Sequence, residues 1–118
     1  MRNYTNIEQS KKLAEILPIE SADMFYTLID QGLYLEVKQG IEPSKDDIPA
    51  WSLAALLALL PKEINVLGTI YSIDIHTKNE EWFIDYKCNN EEFVGVYSNI
   101  LVDACFEMIV KLHEQKLL

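Results

Sequence analysis

The sequence predicts an α+β fold, an antiparallel sheet of about four to five strands packed against a buried apolar helix and a long C-terminal helix. Three observations predict it. Apolar residues recur at helical spacing near both ends of the chain, and they alternate with polar ones from Thr69 to Tyr97. Between these stretches stands an unbroken apolar run, Leu53 to Leu60. The 118 residues, 49% hydrophobic and 25% charged, suit one domain spanning 1–118, and no repeat, linker or low-complexity tract divides it.

The elements follow in order. Thr5-Asn6-Ile7-Glu8 has the spacing of a capping box, with the Thr5 hydroxyl and the Glu8 carboxylate taking the first backbone donors of a helix over residues 6–17. Ile7, Leu13, Ala14, Ile16 and Leu17 fall on one half of its wheel, and Pro18 ends it. Residues 22–29 read either as a helix or as a strand. The aromatic and β-branched Phe25, Tyr26, Thr27 and Ile29 favour a strand that turns at Asp30-Gln31-Gly32, with Gly32 left-handed in a three-residue loop, and returns through Leu33 to Lys38. Tyr26 and Tyr34 are then expected on one outer face with Met24 and Leu28.

Residues 39–49, with Gly40, Pro43 and Pro49, read as a loop. It leads to an Ala50–Leu60 helix capped by Ser52 and stopped by Pro61. Lacking a polar face, that helix is expected to be enclosed by protein on nearly all sides, either within the monomer or at a subunit contact. With Lys78-Asn79 as a hairpin tip, His76 lies opposite Glu81, Asp74 opposite Phe83 and Ser72 opposite Asp85. Tyr71, Ile73, Ile75, Trp82, Ile84 and Tyr86 then share an inner face. A further strand, Phe93 to Tyr97, places Val94 and Val96 on the polar side. The last helix, from about Asn99 to Gln115 with Ser98 or Asn99 as cap, is apolar over more than half its circumference. It is expected to touch both the sheet and the Leu53–Leu60 helix.

Charge and composition exclude several classes. Nineteen acids against ten bases give a net charge of −9, spread evenly along the chain, which repels a phosphate backbone and argues against direct nucleic-acid binding. The longest apolar run is far short of the ~20 residues of a membrane-spanning helix, and residues 1–4 lead into no signal-peptide core, so a cytoplasmic chain without membrane contact is expected. Cys88 and Cys105 lack metal or redox spacing and read as free thiols. Cys105 and His113, eight residues apart on one helix, cannot meet as a nucleophilic pair. The isolated glycines assemble no phosphate-binding loop, and no cofactor is expected.

The candidate site is the polar hairpin face, where Asp74, His76, Glu81 and Asp85 gather three carboxylates and an imidazole. That combination serves acid-base chemistry or a carboxylate-histidine metal site. A solvated antiparallel face is polar without any such purpose, and this plainer reading is preferred, with no metal and no catalytic residue assigned.

Ser21-Ala22-Asp23-Met24, Ile48-Pro49-Ala50-Trp51-Ser52-Leu53 and the Asp103-Ala104-Cys105 block with Glu107-Met108-Ile109 resemble short proteins of bacterial prophages and mobile elements of gut bacteria. The Pro-Ala-Trp-Ser-Leu block is the most specific part. The resemblance implies a cytoplasmic accessory protein and transfers no catalytic residue. The function expected is that of a small non-enzymatic interaction protein with a protein partner or as a homodimer. An acidic inhibitor imitating DNA charge is the alternative, and an enzyme using the polar hairpin face ranks below both.

Overall fold

In the computed structural model, which describes residues 2–38 and 42–118, the first helix starts one residue later than expected. α1 spans Ile7–Ile16 and its N-cap is Asn6. Gln9 N donates to Asn6 Oδ1 at 2.8 Å, and Asn6 N donates to Gln9 Oε1 at 3.0 Å. The box is therefore Asn6 with Gln9, not Thr5 with Glu8. Thr5 is fully buried and bonds to Ser10 and Trp51 instead. Its hydroxyl has better-shielded partners there than a helix end offers.

A short 3-10 turn, Ile19–Ser21, leads into β1 (Met24–Ile29) and β2 (Gly32–Val37). The strand reading of residues 22–29 is correct, but the loop has two residues. Ile29 pairs with Gly32, and Asp30 and Gln31 both carry positive φ, 48° and 68°, the pattern of a type I′ turn. Gly32 is thus a strand residue, and the register moves Tyr34 to the face of Phe25 and Thr27, away from Tyr26. Within residues 39–49, residues 39–41, including Gly40, lie outside the described residues. Ile48–Ala50 is not loop but β3, antiparallel to β1, with Pro49 on an edge strand where a missing donor is tolerated.

α2 (Leu53–Leu59) has its expected cap, Ala55 N donating to Ser52 Oγ at 3.2 Å. It is not enclosed. Leu56 is buried, while Ala54, Leu57 and Ala58 face outward. A two-turn helix needs one buried ridge, and alanines expose little apolar area.

Instead of one sheet, two form: a three-stranded β2-β1-β3 and a four-stranded β4-β5-β6-β7. The latter comprises β4 (Glu63–Val66), β5 (Thr69–Lys78), β6 (Glu81–Cys88) and β7 (Glu91–Ser98). Its hairpins close like the first, with positive φ at Leu67-Gly68, Asn79-Glu80 and Asn89-Asn90. A bulge after Tyr86 shifts β7, so that Tyr86 pairs with Val94 and Ile84 with Val96. Both valines are accordingly buried on the inner face, not placed on the polar one.

α3 (Leu101–Glu114) begins after Ile100, which offers no side-chain cap; Ser98 Oγ accepts from Ile100 N at 3.2 Å. Asp103 in its first turn complements the helix dipole and is held by Arg2 and by Gln9 Nε2, the latter at 2.7 Å. Leu101, Val102, Ala104, Cys105, Met108, Ile109 and Leu112 are buried. α3 packs on β6, β7 and α2 as expected, and also on α1. Leu13, Trp51 and Leu56 join the same core cluster, together with Ile64, Ile84, Tyr86, Val94 and Val96 of the four-stranded sheet.

Replacing Thr5 with Val keeps the shape but strands the Trp51 N–H and the Ser10 hydroxyl in the core. We expect a loss of about 1–3 kcal/mol in urea unfolding, and a change near zero would contradict the bonding described.

Candidate functional site

The polar hairpin face is built by β5 and β6, but not in the expected register. Lys78 pairs with Glu81, which makes Asn79-Glu80 the loop and moves every partner by two residues. A shift of two leaves each side chain on its own face and changes whom it meets. Asp74 now stands opposite Asp85, His76 opposite Phe83 and Ser72 opposite Lys87. Glu81, opposite Lys78 at the tip, is not part of the cluster. Of the four residues singled out in the sequence, Asp74, His76 and Asp85 come together, each with a possible ligand atom within 4.8 Å of the others.

Bonding within the cluster is specific. His76 Nδ1 lies 2.6 Å from Asp74 Oδ2, and the carboxylate accepts. The imidazole stacks on Phe83 at 5.3 Å between centroids and 7° between planes, and Phe83 stacks in turn on Tyr97 at 5.6 Å. Lys87 Nζ stands 3.9 Å from Asp74 Oδ2 and 3.7 Å from Asp85 Oδ2.

Asp74 is exposed, whereas Asp85 retains 5% of its accessibility. Asp85 Oδ1 has no hydrogen-bond partner among the described residues. Across from Asp85 on β7 is Gly95, and the Glu92 carboxylate lies where a Gly95 side chain would project. Burial pushes the Asp85 carboxyl above its ordinary range. Lys87 pulls it down, Asp74 and Glu92 push it further up, and His76 pulls it down. The sequence reading missed Glu92, because the bulge that brings it near has no motif.

This arrangement can attract a cation or hold a proton. A concavity of about 450 Å³ lies elsewhere, between α1 and the first hairpin, with Ala14, Met24, Phe25 and Pro49 in its wall, and includes none of the cluster.

Other groups behave as expected. Cys88 is half-buried and Cys105 fully buried, both free, and burial pushes the Cys105 thiol up to about 12. His113 is exposed in the last turn of α3.

A second surface is apolar. Leu28 (68% exposed), Leu33 and Val37 share a face of the β1–β2 hairpin with Leu35, and Ile29 and Tyr34 are exposed on the reverse. No residue of β2 is buried. The strand forms one edge of its sheet.

No helix is long and apolar enough to cross a membrane among the described residues. Comparison of the chain with protein-family models, curated proteins and solved structures finds no match.

The raised Asp85 carboxyl fixes the sign of a pH effect. Its native form binds a proton more tightly than the unfolded chain does, so its contribution is most favourable below the ordinary value of 3.8 and is lost as pH rises through the raised value. Asp85→Asn is therefore expected to be more stable than the wild type at pH 7, with the difference shrinking to nothing toward pH 3.5; chemical denaturation at both pH values measures it. In a separate thiol-labelling experiment on the native chain, Cys88 should be alkylated and Cys105 spared until denaturant is added.

Proposed function

We propose that this chain is a small non-enzymatic, cytoplasmic interaction protein that associates with a second copy of itself through β2. The observation that carries the reading is the unpaired β2 edge flanked by exposed Leu28, Leu33 and Val37. Long apolar edges are costly to leave open in a monomer. The accessible surface is 7538 Å², against roughly 6,600 Å² for a compact monomer of this mass. The excess is comparable to the roughly 800 Å² that each partner contributes to a standard interface.

Backbone direction restricts the pairing. In a two-residue hairpin the flanking pair, Ile29 and Gly32, is bonded inward, and Lys38 N donates to Asp23 O at 3.1 Å in the same phase. Leu33, Leu35 and Val37 therefore turn their N–H and C=O groups outward. A two-fold axis at Leu35 sets Leu35 against its counterpart and Leu33 against Val37, so that each of these residues exchanges both main-chain bonds. This register also continues the aliphatic face across the dimer. Glu36 comes to lie diagonal to its counterpart, and each copy carries a charge of −9. Salt should thus strengthen association, opposite to what an interface driven by charge attraction would show.

Sedimentation equilibrium tests the proposal. The wild type should approach twice 13.6 kDa at roughly 100 µM, as expected of a small, weak interface, and more readily in 0.5 M salt. Leu35→Lys, on the open side of β2, should remain folded by circular dichroism and sediment as a monomer. A wild type that stays monomeric at millimolar concentration would overturn it.

A further inference from the structure

We propose that Asp74, His76 and Asp85 form a binding site for one divalent cation of the manganese or zinc type. Two carboxylates and an imidazole from adjacent strands already bring ligand atoms within 4.8 Å of one another. Metal bonds of about 2.1 Å place ligand atoms about 3–4.2 Å apart, so a rotation of the exposed Asp74 side chain closes the set. The mixed nitrogen and oxygen donors suit borderline divalent ions better than calcium, which takes six or more oxygens.

The independent observation is Asp85. Its side chain is more than nine-tenths buried, faces the other two groups, and leaves Oδ1 without a partner among the described residues. An acid held in that state lacks a positive counterpart in close contact. Lys87 supplies one imperfectly: its ammonium stands 3.7 and 3.9 Å from the two aspartates, too far for a good bond, and its side chain is over one-third exposed. The chain's own cation thus marks where positive charge is favoured, and it is free to swing away when an ion enters. Phe83, stacked on His76, holds the imidazole plane beside the aspartates. The open side of the sheet leaves room for water to complete the coordination.

The test uses manganese(II) chloride as the probe on the full chain, followed by ¹⁵N–¹H NMR, in which the paramagnetic ion broadens nearby amide signals. At substoichiometric metal, broadening should centre on residues 74–76, 83–87 and 95. It should vanish on adding zinc(II), which displaces manganese. In Asp85→Asn, whose fold is checked by its own NMR spectrum, affinity should fall at least about tenfold, and His76→Ala should do the same. Lys87→Ala should tighten binding severalfold by removing the competing ammonium. Broadening distributed over all exposed acids, or Asp85→Asn binding as tightly as the wild type, would overturn the site. So would unchanged affinity in Lys87→Ala, because the ion would then not be entering the place the lysine marks.

Discussion

The structure depends on Trp51. The ring is fully buried, and the polar groups around it are bonded across three separate segments of chain. Trp51 N donates to Thr5 Oγ1 at 3.1 Å, Thr5 N donates to Trp51 O at 2.9 Å, and Trp51 Nε1 donates to Ser21 Oγ at 2.9 Å. The neighbouring Ser52 receives both Asp23 oxygens, its N–H donating to Oδ1 at 2.8 Å and its hydroxyl to Oδ2, while its own Oγ caps α2. Tyr26 OH closes the arrangement on Thr5 O at 2.7 Å. A large apolar ring can be enclosed at the meeting of so many strands only if the backbone groups displaced from water find partners, and here the visible ones do. Two short blocks, Ser21 to Met24 and Ile48 to Leu53, supply Ser21, Asp23, Trp51 and Ser52 to this knot, and Thr5 and Tyr26 complete it. What they encode is the joint between the N-terminal segment, the first hairpin and α2.

This joint explains which parts of the fold were legible in the sequence. α1, α3, the Ser52 cap and the alternation of β5 and β6 follow from spacing alone, because each depends on neighbours a few residues apart. The division into two sheets does not. It arises where β3 pairs with β1 across the segment around Pro43, a contact with no local period. Thr5 misled for a related reason: its position fits a cap, but its hydroxyl is taken by Trp51, distant in sequence.

The turns were misread for want of glycine. Asp30-Gln31, Asn79-Glu80 and Asn89-Asn90 adopt left-handed conformations without one, relying on the tolerance of Asp and Asn at the first position. Leu67, which has no such tolerance, takes φ 53° at full exposure and leaves the following position to Gly68. Placing the β5–β6 tip one residue early shifted the register by two. A shift of two keeps the faces and changes the partners, so Asp74, His76 and Asp85 lie together while Glu81 stands apart at the tip.

The acidic cluster and the apolar edge lie on different sheets, and what separates them bears on whether they can communicate. Coupling between sites needs an element with two arrangements that both sites bias. Leu13, Trp51, Val102 and Met108 are fully buried in the core cluster that also holds Ile84 and Tyr86 of β6, with the polar groups of Trp51 already bonded. Close-packed interiors resist small displacements. An ion at Asp85 acts mainly on charge, over distances that salt screens to about 8–10 Å, whereas pairing at β2 acts on backbone groups that face away from the core. The two surfaces therefore respond to different variables, one to cations and protons and the other to chain concentration, and the close-packed core gives neither a lever on the other.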